Sequence, residues 1–243
     1  MDTNLLILKQ ANNDDLKVLA DFLHLKSNGS KRCFETFSTR DSYKKYYPHN
    51  MSMMVEDIAD ELQLNGGNTF ANIFRGFQGV EYKEILIDVC NKLKVPFNKY
   101  SDVEVIELCL LQTILINSLE DMSEEELAKL ISEMNIPNQG VGKQAMIAAI
   151  QIAIKRGGFS SYKLAVIVAN AICKALLGRG LSIAANAALT RWLSIFAGPI
   201  GWTAVAVWTA IDIAGPAYRI TIPAVIQVAY IRAKVKFFAS KAA

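Results

Sequence analysis

Histidine is nearly missing from this chain. His24 and His49 are the only two, far apart and in polar, amphipathic surroundings, and they read as surface or helix-edge side chains rather than as a catalytic pair. Cysteine is scarce too. Cys33, Cys90, Cys109 and Cys173 show no Cys-x-x-Cys spacing and no disulfide framework, which points to a reducing compartment. A basic n-region is absent from the opening MDTNLLILKQANNDDLK, so no secretory signal is read and a cytoplasmic protein is expected, peripheral to the inner membrane or inserted in it if it meets lipid. No intact phosphate loop is present. In Gly140-Val141-Gly142-Lys143-Gln144, Pro137 stands where the first glycine belongs and Gln144 where the magnesium-binding hydroxyl belongs. The acidic cluster Glu120, Asp121, Glu124, Glu125, Glu126 fits no calcium-loop order and reads as a solvated helix start. Long period-two alternation is also lacking, so no sheet is expected. These absences lead to the expectation of a non-enzyme with no cofactor and no metal site.

Acid is distributed unevenly. Residues 1–140 hold 14 Lys+Arg and 22 Asp+Glu, net −8, whereas residues 141–243 hold 12 Lys+Arg and one acid, Asp212, net +11. A basic half that is also apolar suits an anionic lipid surface, or an acidic partner such as the chain's own first half.

Apolar length replaces acid in that half. Of the fifty residues from Ser182 to Ile231 only Arg191, Asp212 and Arg219 are charged, and Trp192 to Ile211 are twenty consecutive uncharged residues. As one helix, rising roughly 1.5 Å per residue, those twenty would cover a bilayer core of roughly 30 Å. Pro199 in Gly198-Pro199-Ile200-Gly201 argues instead for a fold-back, giving two short arms, 181–197 and 202–213. Gly215-Pro216 reads as a second break and Pro223 as a third, with Ile220-Thr221-Ile222 extended between them. Arg219 would then cap the carbonyls ending the second arm and pair with Asp212. For Asp212 itself two roles stay open, a helix-end ion pair or cap, and a carboxylate brake that acid would neutralise.

The remaining periodicity is helical. Leu16, Leu19, Ala20 and Leu23 follow an Asx cap near Asn13, with Leu5 to Leu8 as their packing partner. Ser27 to Ser30 marks a turn, and Tyr43, Tyr46 and Tyr47 beside Lys44 and Lys45 read as a surface helix with snorkelling lysines rather than a nucleic-acid stacking platform. Helices follow at Val55 to Leu62, Phe70 to Phe77, Tyr82 to Leu93 and Asp102 to Leu119, the last with an N-cap at Ser101. Ser123 to Glu126 is a capping box, and residues 135–142 read as a linker before a helix from Lys143 to Ile154. The fold class is therefore all-α, a helical bundle with a C-terminal apolar hairpin unit. Its divisions are a short helical module over 1–30, an acidic domain over 31–135 and a basic Gly/Ala-rich domain over 143–243.

Several short blocks resemble a known family. Glu61-Leu62-Gln63, Gly66-Gly67-Asn68, Tyr82, Ile85-Leu86, Asp88-Val89 and Lys92-Leu93-Lys94, then Gly178-Arg179-Gly180, Gly198-Pro199-Ile200-Gly201 and the run Ala217 to Gln227, are similar to the YaaW family of bacterial proteins, also described as ubiquinol-cytochrome c chaperone-like. The resemblance covers nearly the whole chain and implies a fold more than a job.

Two functions follow as expectations. The first is a membrane-associating, pore-forming or inserting protein that shields an apolar hairpin and delivers it to anionic lipid, with Trp192, Ile195, Phe196, Pro199, Trp202, Val205 and Trp208 as membrane contacts and Arg191, Asp212 and Arg219 as structural or switch residues. The second is a soluble chaperone-like assembly factor that grips a protein client between the helices of residues 66–93. No nucleic-acid partner is expected, and either function is compatible with an oligomer.

Overall fold

The computed structural model describes residues 1–25, 37–66, 79–137, 142–156, 160–182, 187–196 and 218–242. Among them every regular element is helical and none is a strand, as the periodicity requires. The α-helices are α1 (Asn13–His24), α2 (Asp41–Tyr46), α3 (Val55–Gly66), α4 (Tyr82–Lys92), α5 (Val103–Ser118), α6 (Glu124–Glu133), α7 (Lys143–Lys155), α8 (Ser161–Leu177), α9 (Ala187–Ile195) and α10 (Tyr218–Ala242). Short 3-10 turns cover Thr3–Gln10 and Met51–Met54. The turn at residues 27–30, the helix expected from Phe70 to Phe77, the middle of the linker, the Gly198–Gly201 turn, the second arm with Asp212, and Gly215-Pro216 all lie outside the described residues.

Helix starts follow local chemistry. Asn12, one residue earlier than expected, caps α1 by accepting from the Asp15 amide at 2.8 Å. Asp102, not Ser101, stands at the N-cap of α5. The capping box of α6 forms as read, with Ser123 and Glu126 bonding each other's backbone amides. Asp2 serves two elements at once, accepting from the Asn4 amide and, across the chain, from the Tyr82 amide that opens α4.

The centre of the bundle is α10. Residues Thr221 to Arg232 are buried without a break, so no face of that stretch is offered to water. It packs on α8, α1, α3, α4, α5 and the Thr3–Gln10 turn, so packing crosses the charge boundary near residue 140. Here one expectation fails. Residues Ile220 to Ile222 are helical rather than extended, and Pro223 lies inside α10 instead of ending a segment. Proline inside a helix costs about 3 kcal/mol, but full burial of a large apolar side chain returns about 1.5–3 kcal/mol, and Ile222, Val225 and Ile226 are all buried at this point. Tertiary packing outweighs the local rule.

Glycines 178 and 180 explain one of the blocks that carry the family resemblance. Gly178 adopts the left-handed conformation, φ 67°, that stops α8. At Gly180 a Cβ would come within 2.7 Å of the Asn170 Oδ1 atom, which itself accepts from the Leu181 amide. Between them Arg179 reaches back to Asp21 of α1.

Candidate functional site

Four helix segments meet at one end of the bundle. Glu104 of α5 pairs with Lys236 of α10 at 2.5 Å, Gln112 of α5 reaches the Ile154 carbonyl of α7, and Tyr162 of α8 stacks on Phe237 of α10 with ring centres 4.6 Å apart. Phe238 packs edge-on against both rings. At the surface, residues 102–112, 151–156, 160–166 and 232–242 carry five cations (Lys155, Arg156, Lys163, Lys236, Lys241) against two acids, Asp102 and Glu104, while Arg232, Lys234 and Glu107 lie in buried pairs. The surface is also apolar in part, since Val105, Ile152 and Phe238 are each 50% exposed. Lys163 and Lys241 lie over aromatic rings, those of Trp192 and Phe237, at 5.8 and 4.5 Å.

Beneath that surface lies a buried ionic layer. The Arg232 Nε donates to Glu107 at 2.9 Å and its Nη2 to the Asn4 carbonyl at 2.6 Å, while the Tyr82 hydroxyl donates to the other Glu107 oxygen at 2.7 Å. Two residues further along α10 Lys234 donates to Asp15 at 2.6 Å, and Gln227 donates to the Asp15 carbonyl at 3.0 Å. Burial pushes the Glu107 carboxyl above its ordinary range against the pull of Arg232 and Tyr82, and raises Asp15 against the pull of Lys234. A carboxyl whose folded pKa exceeds its unfolded value contributes stability that is fully present below the unfolded value and lost as pH rises through the folded one. Wild type should therefore gain stability relative to a Glu107→Gln variant as pH falls from neutrality, measured by urea unfolding at several pH values. A gap moving the other way would place the folded pKa below the unfolded one.

The opposite end holds a second polar cluster. Asp21 accepts from Lys17 at 2.8 Å, from the Tyr47 hydroxyl at 2.8 Å and from Arg179. His24, expected at the surface, is instead 1% exposed. Its Nδ1 lies 2.6 Å from the Ala20 carbonyl and its Nε2 3.0 Å from the Tyr43 hydroxyl, so the ring donates to the carbonyl and accepts from the phenol. Tyr43 and Tyr47 stack beside it at 4.5 Å. The lysines of α2 stay at the surface, as snorkelling side chains should.

Of the residues singled out from the sequence, Trp192 and Phe196 are buried at 6% and 1%, stacked with each other against the bundle, and Ile195 is half-buried. Arg191 is exposed and pairs with Glu133, joining α9 to α6. Arg219 occupies the first turn of α10. Pro199, Trp202, Val205, Trp208 and Asp212 lie outside the described residues. Of the client groove expected over residues 66–93, residues 67–78 lie outside the described residues, and in α4 Tyr82, Ile85, Leu86, Val89 and Cys90 are buried. Sequence reasoning missed Glu107, Arg232, Asp15 and Lys234. Glu107 left a signal, since it shares an apolar helix face with Val103, Leu110 and Ile114. Among the described residues no cluster of His, Cys, Asp and Glu could hold a metal ion, and no helix is long and apolar enough to cross a membrane.

The comparisons with known proteins extend over nearly the whole chain. A UPF0174 protein of Helicobacter pylori strain J99 is 49% identical over 96% of this chain and 92% of its own length. A second from the same strain is 42% identical over 83% of this chain and 98% of its own. The UPF0174 protein YaaW of Escherichia coli K12 is 27% identical over 95% and 94%. No family model and no solved structure matches. With identity at this level over so much of both chains, the chain belongs to the UPF0174 family, that of YaaW.

Proposed function

We propose that the protein associates with anionic membrane surfaces through the basic, aromatic end formed by α5, α7, α8 and α10. The observation that carries the reading is the excess of five surface cations, Lys155, Arg156, Lys163, Lys236 and Lys241, over the surface acids Asp102 and Glu104, with the half-exposed apolar side chains Val105 and Phe238 on the same helices. Cations beside an anionic surface each contribute about 1 kcal/mol, and apolar side chains at the same place enter the headgroup boundary. The apolar stretch beginning at Trp192 is the insertion element of this reading, and α9 must leave α8 before that stretch can enter lipid as a hairpin. In flotation assays the protein should rise with phosphatidylglycerol vesicles, fail to rise with phosphatidylcholine vesicles, and detach as salt increases. Equal flotation with both lipids at low and high salt would refute the electrostatic part.

A second reading, a binding factor for a protein client, is favoured by one feature. An open groove of about 680 Å³ runs between the end of α6 and the small-residue face of α7, along Ala145, Ala148, Ala149 and Ala153. A client helix in that groove would need no lipid. This reading gains if no vesicle of either composition carries the protein upward.

A further inference from the structure

Lys163 takes part in two structures at once. Half-buried in the first turn of α8, it is one of the cations of the basic end, and its ammonium lies over the ring of Trp192, where the uncharged run of the sequence begins. All three tryptophans of the chain, Trp192, Trp202 and Trp208, fall within that run. A cation of the proposed lipid surface therefore touches the helix that leads into the apolar stretch.

That helix, α9, packs on α8 and on α6 with Leu189, Trp192 and Phe196 buried, while Thr190, Arg191 and Ser194 face outward. In water the three buried side chains hold it down. Two polar fastenings add to them: Lys163 of α8 sits over Trp192, and Arg191 pairs with Glu133 of α6, side chains 69% and 17% exposed. Both contain a cation, and both are contacts of a kind that is weak where water reaches them. An anionic surface acts against the two together, because it draws Lys163 and Arg191 toward phosphate and repels Glu133. The apolar face then has somewhere to go, since acyl chains are as apolar as the side chains it leaves.

We propose that α9 is an autoinhibitory strap, fastened by the contacts Lys163–Trp192 and Arg191–Glu133 and opened by anionic phospholipid headgroups, so that the surface that binds the protein also releases its insertion element. The proposal deepens the membrane reading and rests on it. Binding and insertion become separate steps, and a change at the strap alters the second without the first.

The test uses the whole chain carrying Cys33→Ser and Cys109→Ser, with Lys129→Cys and Ser194→Cys added at exposed positions of α6 and α9. Nitroxides at the two new cysteines report the distance between the helices, which should be the same in buffer, in inorganic phosphate and with phosphatidylcholine vesicles, and should lengthen with phosphatidylglycerol vesicles. Joining the same cysteines by a reducible bis-methanethiosulfonate linker locks the strap. The locked protein should still float with phosphatidylglycerol, and brominated acyl chains, which quench tryptophan on contact, should quench it only after reduction. Glu133→Gln removes one fastening and should raise the open fraction in buffer about fivefold, the equivalent of about 1 kcal/mol, while Glu133→Arg combined with Arg191→Glu should close the strap again. An unchanged distance in vesicle-bound protein, quenching of the locked protein before reduction, or opening by inorganic phosphate alone would overturn the strap and leave the surface standing. Failure to float with phosphatidylglycerol would remove the surface reading, and the lipid-opened strap with it.

Discussion

Replacing Arg232 by alanine should destabilise the protein by about 3–5 kcal/mol, the cost of stripping a buried ion of its partner. The side chains of Arg232 and Glu107 are 9% and 4% exposed, and they join the central helix to α5, to Tyr82 of α4 and to the first turn of the chain in a single layer. Glu107→Ala should cost a similar amount, since it leaves the guanidinium as the unpaired ion. Removing the whole layer is a different experiment. A Glu107→Leu, Arg232→Met, Tyr82→Phe triple variant has no stranded charge and should recover most of the loss, because a buried pair against an apolar replacement is often close to neutral. Urea unfolding measures all three. A loss below about 1 kcal/mol in Arg232→Ala would mean that water reaches the pair and that the layer does not organise the core.

The largest functional effect is expected from the four cations, at the end proposed to meet lipid, that pair with no acid among the described residues. Converting Lys155, Arg156, Lys163 and Lys241 to glutamine removes on the order of 1 kcal/mol each, so affinity for phosphatidylglycerol vesicles should fall on the order of a thousandfold. Lys163 and Lys241 lie over Trp192 and Phe237. Their replacement therefore also loosens aromatic packing, and a circular dichroism spectrum is the needed control. Lys44 and Lys45 supply the comparison. They belong to α2, which joins Asp21 and His24 through Tyr43 and Tyr47 at the end of α8 opposite Tyr162, about 24 Å along a 1.5 Å rise. Glutamine at those two positions should change vesicle affinity by less than threefold. A loss of about thirtyfold at those two positions, the share that two charges of about 1 kcal/mol each would take, would show that net charge alone, and not this end of the bundle, governs binding.

How much of this was legible in the sequence depended on distance along the chain. The capping box at Ser123 and Glu126 lies within one helical turn and was read correctly, as were the helical faces of α3, α4 and α5. Pro223 was misread because a local rule was applied to a segment whose conformation is set by twelve consecutive buried residues. His24 was misplaced because the rings that enclose it, Phe37, Tyr43 and Tyr47, lie 13 to 23 residues further along the chain and its burial depends on them. The ionic layer was invisible for the same reason. Glu107 could be seen on an apolar face, but Arg232 lies 125 residues away, and nothing in one sequence pairs them. Charge asymmetry between the halves was legible; that the basic residues gather at one end around Phe238 required the packing of α8 on α10.

The most direct test of the account asks which end of the molecule touches lipid. Burial pushes the Cys90 and Cys173 thiols up to about 12 and about 11, so neither is reactive near neutral pH, and replacing Cys33 and Cys109 by serine prepares the chain for single labels. A nitroxide is then placed at Phe238→Cys in one protein and at Lys44→Cys in another, and its accessibility to oxygen and to a water-soluble nickel complex is measured with phosphatidylglycerol vesicles. The account predicts that the label at 238 becomes shielded from nickel and exposed to oxygen on adding vesicles, while the label at 44 stays in water. A label at 238 that remains in water while the protein is vesicle-bound, or a label at 44 that enters lipid instead, would contradict it.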